Sequence, residues 1–318
     1  MHPAKTLVPY HREFNPTRQI LFEVIVRILK RLEPILRRHI NHTLEIERHI
    51  FEIPQFPVQL SWTRIVHISD MHFHEQWEPD KMIEALIEKL RVVKAEAGDN
   101  SVVCVMSGDI VSKHTNFSAV RPHIVRFMRW FRDIFWHEAQ LYACEGNHDL
   151  HRKHWPEERQ ILQSLGIVYT EYTAPVGIDI VTTPDFTVDP VWAQDILQSS
   201  LRKPPRDTAF RLILSHNLEV LQHSDIPENE IPHIIMGGHT HNGHLWLISD
   251  ASFSDESDPL RRLMAYALLG YRFPLVAGVK KIANNIFASV SPGVWENENR
   301  PRYNSPRGLP VFELRRKK

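Results

Sequence analysis

The sequence predicts a layered α/β fold with a site along one edge of its strands. Two observations carry that prediction. Short apolar strands alternate with helical segments from residue 64 onward. Five of those strands are also followed at once by Asp, Asn or His. In open α/β sheets the carboxyl edge of the strands is where sites form. The chain has 318 residues, 42% apolar and 24% charged, which is enough for a sizeable core.

The first segment stands apart. In residues 17–40, "TRQILFEVIVRILKRLEPILRRHI", Ile20, Leu21, Val24, Ile28, Leu32, Ile35 and Leu36 recur at helical spacing. Arg18, Arg27, Lys30, Arg31, Arg37 and Arg38 fill much of the remainder, and Pro34 is placed to kink the helix. A basic amphipathic helix of this kind either docks on the domain or lies in a membrane interface near anionic lipid. It defines an N-terminal segment, 1–43, ahead of a domain spanning 44–318.

Within the domain "LEIERHIFEI" reads as a strand, "PQFP" as a turn and "TRIVHIS" as a second strand. Pro79 opens a helix over 79–97, "SVVCVMSG" is a strand, 117–136 is helical and "QLYACEG" is a strand. After Glu157 come a short helix, irregular strands in "IVYTEYTAPVGIDIVT" and a helix near 189–200. "AFRLILSH", "HIIMGGH" and "GHLWLIS" are short apolar strands, and "NIFASVS" and "LPVFELR" finish the series. The apolar run 263–282, "LMAYALLGYRFPLVAGVKKI", fits a helix buried against the sheet or the lining of an acyl groove.

Zero formal net charge and a pI of 7.4 argue against a general nucleic-acid binder. Cys104 and Cys144 both fall in strands and read as reduced core thiols, which points to a reducing, cytoplasmic compartment. No run reaches the ~18–20 uninterrupted apolar residues that a spanning helix needs, and the first residues lack a signal-peptide core.

The chemistry lies in what ends each strand. "RIVHIS" leads into Asp70 and His72, "VVCVMS" into Gly108-Asp109, and "QLYACE" into Gly146-Asn147-His148-Asp149. "RLILS" leads into His216 and "HIIMG" into Gly238-His239-Thr240-His241. One such His is commonly structural; the set is a ligand inventory. Nitrogen and oxygen donors without thiolate suit Mn, Fe or Zn. Seven ligands exceed what one tetrahedral ion with an open position takes, but they suit two ions that share one. Two dications ~3.5 Å apart repel by roughly 19 kcal/mol at an effective dielectric of ~20. A bridging anion is therefore required, and Asp109 is the natural one.

In order and content these blocks resemble the full signature of the calcineurin-like metallophosphoesterases, over residues 65–242. The resemblance implies a four-layer αββα sandwich of two mixed sheets flanked by helices. Its dimetal site would sit at the strand carboxyl ends, here preceded by the N-terminal amphipathic helix. It implies that Asp70, His72, Asp109 and His241 hold one divalent ion, and Asp109, Asn147, His216 and His239 the other, with manganese expected and iron or zinc compatible. His148 would be the general acid, with Asp149 placed to orient it. Water activated by the ions would attack phosphorus in line while His148 protonates the leaving oxygen. Two positions depart from the pattern: Ser112 stands where many relatives have Asp, and "HNLE" lacks a proline common after that His.

The flanks narrow the resemblance. "IERHIFEIPQFPVQLSWTRIVHISDMHFH" and "NIFASVSPGVWENENRPRYNSPRGLPVFELR" are similar to the membrane-associated, YkuE-like branch. That branch includes UDP-2,3-diacylglucosamine pyrophosphatase of lipid A synthesis, which releases UMP and a lipid monophosphate. It implies a phosphorylated, lipid-linked substrate and a cytoplasmic protein peripheral on the inner face of the membrane. A soluble nucleotide or cyclic-nucleotide phosphodiesterase would share every ligand. A non-catalytic scaffold would be expected to lose ligands or the acid, and this chain keeps them. Arg152, Lys153 and Arg300 are phosphate contacts by residue type alone.

Overall fold

A computed structural model describes residues 20, 23–24, 27–28, 43–53, 56–75, 79–135, 140–169, 172–173, 178–202, 210–225, 232–240, 275, 278–295 and 307–317. Their strands form two six-stranded mixed sheets. The first sheet contains β1 (Leu44–Ile53), β2 (Arg64–Ile68), β3 (Val102–Ser107), β4 (Leu141–Cys144), β5 (Ile167–Tyr169) and β12 (Arg307–Arg316), in the order β1-β12-β2-β3-β4-β5. The second contains β6 (Tyr172–Thr173), β7 (Asp179–Thr182), β8 (Arg211–Leu214), β9 (His233–Gly237), β10 (Gly278–Ala283) and β11 (Ile286–Val290), in the order β10-β11-β9-β8-β7-β6. β2, β3, β4 and β5 run parallel, as do β7, β8, β9 and β11, so the ligand-bearing strands of each sheet end on one side.

Strand side chains alternate between two cores, which is why these strands read as unbroken apolar runs. Ile65, Val103, Val105, Leu212, Leu214, Ile234 and Met236 fill the space between the sheets. Val66, Ile68, Cys104 and Met106 face α1 (Pro79–Ala97), α2 (Phe117–Phe135) and α4 (Trp155–Ser164), and the one-turn helix α3 (Asn147–Leu150) precedes α4 in the chain. Ile213, Ile235, Ala288 and Val290 face α5 (Pro190–Arg202). The result is four layers: helices, sheet, sheet, helix. Helix α1 starts at Pro79, whose missing N–H costs nothing in a first turn. It buries Met82, Ile83, Leu86, Ile87, Leu90 and Val93, a stripe at three- and four-residue steps.

The strand and helix expectations hold closely, and the two cysteines are buried free thiols. The run 263–282 differs. Its last part, from Gly278, is the antiparallel edge strand β10, paired with β11, rather than a helix or groove wall. Apolar content alone does not separate a strand from a buried helix. The strand expected at "GHLWLIS", the rest of 263–282 apart from the buried Leu275, and most of 17–40 lie outside the described residues. Of the last, Ile20, Val24 and Ile28 are helical and exposed, beside a Glu23–Arg27 pair at 3.5 Å. Among the described residues no helix is long and apolar enough to cross a membrane.

Candidate metal centre

The site lies where the carboxyl ends of β2, β3, β4, β8 and β9 meet. Loops from the first sheet are tied to one another by backbone bonds. The N–H groups of Asp70, His72 and Phe73 donate to the carbonyls of Gly108, Asp109 and Ile110 at 3.2, 2.9 and 2.8 Å. The second sheet is tied to the first by His216, whose Nδ1–H donates to Ser107 O at 2.6 Å, and by the His239 N–H, which donates to Asp70 Oδ1 at 3.2 Å. Asp70, His72, Asp109 and His239 all have positive φ, from 44° to 69°. A non-glycine residue pays about 1–3 kcal/mol for such a conformation. Here it turns the chain sharply as each strand ends and keeps four polar side chains at the seam between the sheets. Gly108, at φ 85°, lies so close to Gly146 that a Cβ would sit 2.6 Å from its nitrogen and 2.9 Å from His216 Nδ1. This close approach brings the β3 and β4 loops together.

The donor atoms form two overlapping groups. Asp70, Asp109 and His216 place one atom each within 4.8 Å of one another, and so do His72, Asp109 and His148. Asp109 belongs to both. Its Oδ1 accepts the His148 N–H at 2.8 Å. Its Oδ2 is left 3.2 Å from His216 Nε2 and 3.6 Å from His72 Nε2. Asn147 Oδ1 lies 3.2 Å from His216 Nε2 and 3.0 Å from His239 Nδ1. Asp70 Oδ1 lies 3.9 Å from His72 Nε2. Six of the seven expected ligands are thus together, and His241 lies outside the described residues.

These residues fit divalent cations. Because the His216 Nδ1 hydrogen goes to Ser107 O, the neutral ring turns a lone pair toward Asp109 Oδ2 and Asn147 Oδ1. Three lone pairs then converge with no hydrogen between them, an arrangement that a cation resolves. The electrostatics agree. Burial lowers the His216 pKa, yet Asp109, Asp70 and Asp185 together raise it well above its ordinary value. Burial raises Asp109, yet His216, His148 and His72 bring it well below the ordinary carboxylate range. The pocket therefore demands positive charge, which a metal pair supplies with the histidines neutral.

Asp149 takes a different role from the one expected. Its carboxylate accepts the N–H groups of Ile110, Val111 and Gly146 at 3.1, 3.2 and 3.0 Å, so it pins the β3 loop to the β4 loop instead of orienting the His148 ring. Burial and the charge of Asp109 push its pKa up to about 8, against the pull of those amides. The His148 ring is held by Lys113, whose N–H donates to Nδ1 at 3.2 Å. The neutral ring thus carries its hydrogen on Nε2. Arg152 is also corrected. It is buried and ion-paired with Glu158, so it is no phosphate contact. Lys153 is exposed, and Arg300 lies outside the described residues.

Sequence reasoning missed a buried chain behind Asp70. His67 Nε2 meets Ser107 Oγ at 2.8 Å, the Ser107 hydroxyl donates to Ser69 Oγ at 2.9 Å, and the Ser69 hydroxyl donates to Asp70 Oδ2 at 2.6 Å. A serine at the end of each of two apolar strands, next to a ligand motif, was the available signal. Ser112 was noticed only as a departure. Its hydroxyl lies 3.3 Å from His72 O and 3.5 Å from His72 Nδ1.

Comparison with known proteins agrees with this geometry. Residues 63–243, more than half of the chain, match the family described as calcineurin-like phosphoesterase. No curated protein matches the chain. Among solved structures, the chain is similar to the sulfate thiohydrolase SoxB of Thermus thermophilus at 11% identity, with TM-score 0.42, over 83% of this chain and 58% of that one. It is also similar to a 5'-nucleotidase from Candida albicans SC5314 at 11% identity, with TM-score 0.40, over 76% of this chain and 48% of that one. The chain thus spans about half the length of these structures.

Proposed function

Because the chain belongs to the calcineurin-like phosphoesterase family, we propose that it is a two-metal hydrolase of a phosphate ester or pyrophosphate carried on a lipid. The metal-dependent phosphoesterase class follows from the family. One observation carries the two-ion reading: a single oxygen, Asp109 Oδ2, lies 3.2 Å from His216 Nε2 and 3.6 Å from His72 Nε2. Asp70, His72, Asp109 and His241 would hold one cation, and Asp109, Asn147, His216 and His239 the other. Such a pair lowers the pKa of water toward neutrality and stabilises charge developing on phosphate oxygens.

The chain's own groups do the rest. Ser107 and Ser112 hold the rings of His216 and His72 so that Nε2 faces Asp109. The Asp109 carboxylate is fixed by the His148 amide. In this reading His148 Nε2–H donates to the leaving oxygen and stabilises the negative charge that forms there. Complete proton transfer, the role the family resemblance implies, needs a second ring hydrogen at Nδ1, where the Lys113 N–H now points.

The lipid part rests on the exposed helical stripe of Ile20, Val24 and Ile28, on the basic residues Arg18, Arg27, Lys30 and Arg31 in and around it, and on the likeness of the flanks to the membrane-associated branch. UDP-2,3-diacylglucosamine, cleaved to UMP and lipid monophosphate, is the specific candidate, and peripheral contact with the inner face of the membrane goes with it. The deciding experiment incubates manganese-loaded protein with that substrate, with nucleotides and cyclic nucleotides, and with bis(p-nitrophenyl) phosphate, followed by product identification. Hydrolysis of nucleotides alone would replace the lipid reading with a soluble phosphodiesterase. In vesicle flotation, replacing Ile20, Val24 and Ile28 by Ser in the full chain is expected to abolish binding to anionic vesicles. Equal flotation of both proteins removes the stripe from the argument.

A further inference from the structure

We infer that Arg152 and Glu158 act as a positioning pair for His148, through one peptide group between residues 112 and 113. The inference rests on His148 being the donor to the leaving oxygen. Arg152 is 8% exposed although His151 and Lys153 on either side are exposed. Its guanidinium meets the Glu158 carboxylate through Nε and Nη2, the latter at 3.0 Å. Its remaining hydrogens go to backbone carbonyls. Nη1 donates to Ser112 O at 2.5 Å and Lys113 O at 3.4 Å, and Nη2 donates to Thr115 O at 2.9 Å. One cation from the turn before α4 thus gathers three carbonyls of the loop that follows β3.

The Ser112 carbonyl and the Lys113 N–H are the two ends of one planar trans peptide, so they point in opposite directions. Arg152 binds the first end and His148 Nδ1 the second, at 3.2 Å. Fixing the carbonyl therefore fixes where the N–H points. A cation on the carbonyl also polarises the peptide and strengthens its N–H as a donor. The hydrogen bond to Nδ1 leaves the ring hydrogen on Nε2 and holds the ring plane. The same loop carries the Ser112 hydroxyl against His72, and the His72 and His148 rings lie edge to face with centroids 4.6 Å apart. Glu158 supplies the counter-charge that offsets burial of the guanidinium and matches its fork. A lysine cannot reproduce this fork, because its ammonium lacks the planar array of donors.

A double-mutant cycle on the manganese-loaded full chain decides the proposal. Arg152→Met is expected to lower kcat by about 10–100-fold, the range typical of outer-shell partners, with KM and metal affinity little changed. The loss should be larger for an alkyl ester than for a p-nitrophenyl ester, because the poorer leaving group depends more on the donor. In a His148→Ala background the same substitution should change kcat less than 2-fold, because the group it positions is gone. Glu158→Gln should follow the same pattern more weakly, and it serves if Arg152→Met lowers the melting temperature too far to assay. Equal losses in both backgrounds, or equal losses on both esters, overturn the proposal and leave Arg152 as a structural ion pair. If the wild type turns over no phosphoester, the hydrolase reading fails separately. The positioning claim is then read from 15N spectra of zinc-loaded protein labelled at histidine. His148 should be the single Nε2–H tautomer in wild type and a mixture in Arg152→Met, and an identical ring in both overturns it.

Discussion

His67 gives the fold a specific sensitivity to acid. Its ring is fully buried, and among the described residues Nδ1 has no hydrogen-bond partner. Because the Ser107 and Ser69 hydroxyls both point along the chain toward Asp70, His67 Nε2–H is the donor to Ser107. Adding a proton at Nδ1 would place a charge in the core with no acceptor, and burial pushes the pKa from 6.5 down to about 3. The unfolded chain binds the proton at 6.5, so the unfolded state takes up more protons everywhere between the two values. Stability is therefore intact above pH 6.5 and falls as pH drops toward 3. At pH 5 proton uptake shifts the folding equilibrium toward the unfolded state about 30-fold, which is about 2 kcal/mol, a sizeable share of the ~5–15 kcal/mol of a typical domain. His67→Gln keeps an N–H donor for Ser107 and removes the titration. Urea unfolding of metal-free protein at pH 8 and pH 5 measures the effect without proton competition for the metal ligands. Wild type should lose about 2 kcal/mol more than His67→Gln between the two pH values. Parallel losses in the two proteins would refute the argument and place the acid sensitivity elsewhere.

Three further outcomes follow from the site. Asp109→Asn keeps an acceptor for the His148 N–H but removes the shared charge. Calorimetric titration with manganese should show both ions weakened, by well over the ~10–100-fold of an outer-shell change, and loss of one ion alone would argue against a shared ligand. Gly146→Ala drives a Cβ into Asp109 Oδ1 and the Asp109 backbone nitrogen. It should cost about 1–3 kcal/mol in thermal unfolding and lower metal affinity in the same protein. Ser69→Ala removes the 2.6 Å bond to Asp70 Oδ2. It should weaken manganese binding by about 10-fold while leaving far-ultraviolet dichroism unchanged.

The legibility of this fold followed from burial. β3, β8 and β9 are covered on both faces, so they appear as short apolar runs, and the polar residue ending each run is conspicuous. Helix α1 was bounded by its proline and by its stripe. The edge strand β10 was not legible, because its half-exposed residues adjoin an apolar run with no periodicity of its own. Ligand chemistry was legible in the same way as the inner strands, since a carboxylate or imidazole at a strand end needs a partner. The groups that aim those ligands were not. Beyond the Arg152–Glu158 pair, Arg152 and Asp149 spend their polar atoms on backbone carbonyls and amides, which every residue carries, so no side-chain pattern marks those partners. The contacts by which these two hold the loops together run from side chain to main chain. Conformation was hidden for a related reason. Glycine or asparagine usually marks a left-handed residue, yet Asp70, His72, Asp109 and His239 adopt that conformation here. The strain is held by the backbone bonds between the β2 and β3 loops and by the His239 amide on Asp70. Tertiary structure thus fixes positions that local propensity opposes, so the sequence declares which side chains gather at the site and conceals the scaffolding that gathers them.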